Sequence, residues 1–455
     1  MQIGTFAGMP VFGLDALGSA AYGPEAALTL LMPLGAAGIA YFVPVSAGII
    51  ALLSIVSISY RQTIAAYPDG GGSYTVAEKN LGTFSGLVAA AALMIDYVLV
   101  AAVGISSGVG ALVSAVPSLQ PYTLLLCVGT LAIITLVSLR GVRETGLAFM
   151  LPTYVFIVSL LSVIFAGVVK TILAGGHPAP IVAPPPAALP TVSSASLWML
   201  LLVFSSGCTA MTGVEAVSNG VRAFREPSVR IAQRTHTAII SILIAMLAGI
   251  AILVRAYGIS ATVPGQPGYQ SVLSMVTAAV AGRGWFYYVT VGAVMLVLAL
   301  SANTGFADFP RLCRGVAQNG FLPRWFEFRS RRIVYSHGVL FLAALTGILL
   351  VAFRGVTDRL IPLFAIGAFL AFTLSQAGMA AHWKRVGGKG AAPRMLVNAL
   401  GAVGTATALI VVLVAKFASG AWVGAFLIAG LVAIMAVVRR WRLRTDHSAS
   451  RSRTP

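Results

Sequence analysis

Gly13-Leu-Asp-Ala-Leu-Gly-Ser-Ala-Ala-Tyr-Gly-Pro-Glu25 sets two carboxylates and a Gly-Pro pair inside a segment long and apolar enough to cross a bilayer. Glycine weakens a helix and proline removes a backbone donor, so the stretch predicts an interrupted span. About two hundred residues on comes an echo, Ser205-Ser-Gly-Cys-Thr-Ala-Met-Thr-Gly-Val-Glu-Ala-Val-Ser-Asn-Gly220, again with a carboxylate among glycines and hydroxyls. Broken apolar segments in matching places of two halves are the sequence mark of a transporter's binding region.

The rest of the chain fits that reading. Its 455 residues are 58% hydrophobic and 9% charged, with a mean hydropathy of +0.93; a soluble domain carries about 25% charged residues. This is an all-α polytopic membrane protein. Apolar runs of membrane length fall at about 9–33, 37–60, 83–115, 122–139, 147–173, 197–220, 236–259, 284–308, 335–353, 359–381, 395–415 and 420–438, which predicts about 12 transmembrane helices.

The net charge of +18 is a topology signal, with no nucleic acid as partner. Segments 61–82, 140–146, 221–235, 309–334, 382–394 and 439–455 hold 24 of the 30 Lys and Arg. By the positive-inside rule these segments are cytoplasmic. Both termini then lie inside a cell inner (plasma) membrane, with the lipid bilayer as the main partner. Residues 1–14 contain no Lys or Arg and Asp15 interrupts the apolar region, so the first span is expected to be retained, not cleaved as a signal peptide. Cys127, Cys208 and Cys313 are scattered through spans or the cytoplasmic side, and free thiols are expected.

Spans one to five and six to ten form two fives that start from opposite sides, a 5+5 inverted repeat of LeuT/APC type with discontinuous first and sixth helices. The expected division is a first repeat at 1–174, a Pro-rich external linker at 175–196, a second repeat at 197–382, two additional spans at 383–438 and a basic cytoplasmic tail at 439–455. The glycines of Tyr67-Pro-Asp-Gly-Gly-Gly-Ser73 lack the Gly-Lys-Ser/Thr of a phosphate loop and are read as a turn leading into a helix. The Arg140 to Gly146 loop is a short basic turn, and the Arg311 to Arg332 connection a topology signal that also suits anionic lipid.

A monovalent cation leaving water needs a shell of oxygens from carbonyls, hydroxyls and a carboxylate. Asp15 supplies the fixed charge, Gly18 and Ser19 are expected to let the backbone turn its carbonyls inward, and Tyr22 is a ligand or gate. Glu215 occupies the matching break and is the candidate for proton coupling. Other roles stay open: Asp15 as a cap of its own helix, Thr212 bonded to its own backbone, Tyr97 as packing and Asp96 as a structural carboxylate. Glu25 is read as a helix-start residue. The five histidines, His177, His236, His337, His382 and His447, show no metal spacing, and no Ser/His/Asp set is evident; no enzyme activity and no cofactor are expected.

Two motifs carry a family resemblance over nearly all of the chain. Ala66-Tyr-Pro-Asp-Gly-Gly-Gly-Ser-Tyr74 resembles the signature of the amino acid/polyamine/organocation (APC) permeases. Asp15-Ala-Leu-Gly-Ser-Ala-Ala-Tyr22 and Thr212-Gly-Val-Glu-Ala-Val-Ser-Asn-Gly220 resemble their KUP-type, KimA-like potassium importers. The resemblance implies the five-plus-five fold with two extra helices, alternating access, and uptake of potassium together with protons. It carries Asp15, Tyr22, Tyr97, Thr212 and Glu215 onto the cation pathway, with Asp15, Tyr22 and Thr212 as potassium ligands. Where these importers have hydroxyl residues this chain has Val100, Gly104 and Phe364. The cytosolic domain that follows the membrane part in some of them is expected to be absent, and with it the main argument for a homodimer. The alternative is a proton-coupled amino acid or amine permease of the same fold, in which a half-helix N-terminus receives the substrate carboxylate.

Overall fold

The computed structural model describes residues 2–70, 72–140, 146–327 and 336–451. The interior of the Arg140 to Gly146 loop and the second part of the Arg311 to Arg332 connection lie outside these. Among the described residues every named element is a helix. Helices α1 (Thr5–Phe12) and α2 (Leu14–Leu31) form the first span, followed by α3 (Ala36–Ala66), the short α4 (Ser73–Leu81), α5 (Thr83–Ala115), α6 (Thr123–Leu139) and α7 (Gly146–Leu173). The second part begins with α8 (Leu197–Gly207), a 3-10 turn (Cys208–Met211) and α9 (Ala216–Asn219). It continues with α10 (Ser228–Ala256), α11 (Val272–Ala281), α12 (Trp285–Gln318), α13 (Ser336–Ala352) and α14 (Thr357–Val386), and α15 (Ala391–Ala415) and α16 (Trp422–Arg451) close the chain.

Nine helices among the described residues are long and apolar enough to cross a membrane. The expected spans not among them are 9–33 and 197–220, each interrupted, and 335–353, where α13 has 17 residues. Burial sorts centre from rim. In the most apolar windows of α5 and α14, 89% and 78% of residues are buried, against 11% for α6 with its preceding turn and 17% for α16. A helix without apolar neighbours on most of its circumference must face lipid, so α6 and α16 form the periphery.

Close backbone approach packs the centre. A Cβ on Gly104 or Gly108 of α5 would lie 2.7 Å and 3.0 Å from the carbonyls of Leu298 and Met295 in α12, and one on Gly305 would lie 2.6 Å from the Tyr97 carbonyl. Small residues allow this contact where lipid supplies no hydrophobic drive between helices. Gly104 therefore has no room for a hydroxyl side chain.

The basic connections meet on one face. Arg222 pairs with Asp69 at 2.7 Å and Arg442 with Glu327 at 2.9 Å. Asn319 Nδ2 donates to Tyr74 Oη at 2.6 Å, and Arg385 donates to the Asn80 carbonyl at 3.2 Å. The N-terminus joins them, since Ile3 exchanges backbone hydrogen bonds with Ala223 and Arg225 at 3.0 Å. On the opposite face the Pro-rich segment closes over the helix ends: Thr191 and Val192 donate to the Pro33 carbonyl, and Ile181 to that of Ala279.

Candidate functional site

The two broken spans lie against each other along their whole length. A Cβ on Gly8 would meet the Phe224 ring, one on Gly220 the Phe12 ring, one on Gly213 the Ala16 backbone nitrogen at 2.5 Å, one on Gly23 the Ala210 Cβ at 2.4 Å, and one on Gly207 the Ala27 Cβ at 3.1 Å. Sorted along the first span the contacts are Gly8 with Phe224, Phe12 with Gly220, Ala16 with Gly213, Gly23 with Ala210 and Ala27 with Gly207, so the two spans run antiparallel. Glycine is required where backbones approach this closely.

The breaks differ in kind. The sixth span truly unwinds: Thr212 is extended with ψ 150°, Gly213 takes φ +79°, and helix resumes only at Ala216. The first span breaks at Gly13, a single residue across which the hydrogen bonds Gly13 N to Met9 O and Leu17 N to Gly13 O continue. Gly18, Ser19, Gly23 and Pro24 all lie inside continuous α2, contrary to the expectation that Gly18 and Ser19 turn carbonyls inward. Gly23 serves close packing on Ala210, and proline within a membrane helix is tolerated when neighbours shield the freed groups.

Asp15 and Glu215 are each 4% exposed and Asp96 2%. Asp15 stands in the first turn of α2, where a helix N-terminus favours negative charge, and its carboxylate borders Gly213. Tyr22 and Thr212 meet at 2.6 Å, and Thr212 Oγ1 donates to the Thr209 carbonyl at 3.0 Å. One hydrogen per hydroxyl fixes the direction: the tyrosine donates to the threonine, which donates onward to its own backbone. Thr212 thus makes its local bond and the long-range one together. Ser19 Oγ lies 2.7 Å from the Ala16 carbonyl and 2.6 Å from that of Ala210, tying α2 to the 3-10 turn.

Glu215 Oε2 and Asp96 Oδ1 are buried without a hydrogen-bond partner. A buried carboxylate left so is costly unless it is neutralised. Tyr97 Oη receives Asn219 Nδ2 at 3.3 Å, and Asn219 closes against Gly70 and Gly72 of the glycine-rich turn. Outside the spans, burial pushes Tyr74 up to about 12, so its oxygen stays protonated while it accepts from Asn319.

The residues standing in place of hydroxyls have physical accounts. Phe364 is fully buried with its ring edge-on to Tyr22 at 6.1 Å. Beside Gly104 the Ser301 Oγ of α12 would lie 2.7 Å from an added Cβ, so a hydroxyl from another helix stands where α5 has none. The sequence reading assigns no role to Asn219 or Ser301; Asn219 ends the short α9 just before Gly220, a usable signal, whereas Ser301 comes to the site only through the packing of α12 on α5. Cys127, Cys208 and Cys313 are free and buried.

Two cavities flank the site. On the basic face one of about 300 Å³ is lined by Phe12, Leu14, Asn219, Asn303 and Asp308, among others. Towards the other face a space of about 20 Å³ is lined by Tyr22, Glu25, Ser107, Tyr269, Thr357 and Asp358, room for about one water. Glu25 lies mid-helix in α2 and does serve a helix start, but that of α11: Val272 N donates to its Oε2 at 3.3 Å.

Comparison with known proteins agrees with this architecture. The amino acid permease family profile matches residues 13–438. The potassium transporter KimA of Bacillus subtilis (strain 168) is 41% identical over 408 residues, 89% of this chain and 65% of KimA. The chain thus spans just under two thirds of that relative's length. The crystal structure of a mutant manganese transporter of Eremococcus coleocola superposes with a TM-score of 0.44 at 12% identity, covering 95% of this chain and 94% of that one, a likeness too distant to bear on fold or substrate. The match across almost the whole chain, with its apolar helices of membrane length, places it as a multi-pass membrane protein that belongs to the amino acid permease family.

Proposed function

We propose that this protein imports a monovalent cation, potassium first, by proton symport with alternating access. The observation that carries this reading is the meeting of the two broken spans. Asp15, Tyr22 and Thr212 converge there, with Glu215 at the end of the unwound segment. Asp15 holds the cation with Tyr22 and Thr212 as oxygen ligands, Tyr97 and Ser19 border the path, and Glu215 carries the proton. The cavity of about 300 Å³ on one side and of about 20 Å³ on the other supports a site reached from one face at a time. The 41% identity to a potassium transporter supports the choice of ion.

The antiparallel pairing of the first and sixth spans supports a 5+5 inverted repeat within twelve crossings. The basic face is the cytoplasmic one by the positive-inside rule, with both termini there in the plasma membrane. A second reading, a proton-coupled amino acid or amine permease, is favoured by the family profile and by the apolar Phe364 ring against Tyr22. Three buried carboxylates weigh against a substrate that brings its own carboxylate.

Uptake by purified protein in proteoliposomes separates the two: rubidium or potassium against a mixture of labelled amino acids, with and without an inward proton gradient. Cation uptake that the gradient accelerates is the expected result. Amino acid uptake without cation uptake would overturn it.

A further inference from the structure

We infer that Glu25 is the latch of the outer gate, fastening the first span to the half-helix α11 whenever the outer side is shut. Tyr269 Oη donates to Glu25 Oε1 at 2.6 Å and Val272 N, the first residue of α11, donates to Oε2 at 3.3 Å. Both carboxylate oxygens are thereby engaged with one lid. Other attachments of the α11 segment run elsewhere: Ser271 N donates to Ser114 Oγ of α5 at 2.7 Å, Lys170 Nζ of α7 donates to the Val280 carbonyl at 2.8 Å, Ser274 Oγ meets Tyr287 Oη of α12 at 2.7 Å and Ile181 N donates to the Ala279 carbonyl at 2.8 Å. A carboxylate at the N-terminal end and an ammonium at the C-terminal end both suit the dipole of α11.

The latch therefore joins two bodies. α2 is bound to the sixth span through Ser19, Gly23 and Gly213, whereas α11 is anchored on α5, α7 and α12. Beneath the joint lies the space of about 20 Å³ that Tyr22 shares with Ser107 and Asp358. Outward opening must part α2 from α11, so Glu25 has to release the Tyr269 hydroxyl and the Val272 N–H together. Asp358 and Glu25 line this same space. This inference rests on the alternating-access reading but not on the identity of the transported substrate.

The test is labelling of Ser107→Cys in a background with Cys127, Cys208 and Cys313 replaced, using a membrane-impermeant maleimide from the outer side of sealed vesicles, without added substrate. The parent should label slowly. Glu25→Gln keeps the side-chain shape but loses one acceptor, and Tyr269→Phe removes one donor without touching α2; each should speed labelling about tenfold, the scale of a lost hydrogen bond to a charged group. Unchanged labelling in both variants would overturn the latch, as would an equal rise at a control cysteine placed at Ser159, buried in α7, which reports general loosening. Because no cation is present, faster labelling stands even if cation uptake is never found.

Discussion

Tyr22 and Thr212 share a hydrogen bond of 2.6 Å across 190 residues of sequence, and their coupling can be measured. Tyr22→Phe and Thr212→Val should each weaken cation affinity about fivefold, close to 1 kcal/mol, and the double variant should show a coupling energy of about the same size. Strict additivity in a rubidium-binding cycle would disconnect the pair from the ion. Glu215→Gln should leave cation movement but make its rate indifferent to a proton gradient; a rate still accelerated by the gradient would remove Glu215 from coupling. Asp15, Tyr22, Thr212 and Glu215 were legible in the sequence because polar groups within apolar, glycine-rich spans are conspicuous. No role is legible there for Asn219 or Ser301, because helices distant in sequence bring them to the site: α5 approaches α12 at Gly104, and the glycine-rich turn closes on Asn219.

Of the two breaks, the sixth span unwinds where its sequence suggests, while the first bends at Gly13, upstream of its Gly-Pro pair. Local glycine and proline mark where a helix is weak, but packing decides which weak place yields: Gly23 is spent on contact with Ala210, and Gly13 sits under Ile239 with no space for a side chain. Gly213→Ala should be severe, since it combines φ +79° with a Cβ 2.5 Å from the Ala16 nitrogen. Strain of that kind costs on the order of 1–3 kcal/mol, so a lower melting temperature and lost transport are expected; an unchanged melting temperature with normal uptake would show that the unwound segment tolerates a different path. Helix α11 escaped the sequence reading because its ten residues are too short for a span, and its capture by Glu25, Ser114 and Lys170 gives it a place.

The helical membrane architecture and the gathering of basic connections on one face followed from hydropathy and charge placement, and the pairs Arg222–Asp69 and Arg442–Glu327 lie on that face. Which cavity is open could not be read, because it depends on how two helix bodies rest against each other and the same residues serve both states. In the proposed mechanism the carboxylate of Asp15, buried where the broken spans meet, holds the transported cation. Equilibrium binding of radiolabelled rubidium to the purified protein and to its Asp15→Asn variant tests it most directly. Saturable binding that potassium displaces in the parent, and none in a variant that remains folded and monodisperse, is the predicted result; equal binding in both, or none in the parent, would contradict it.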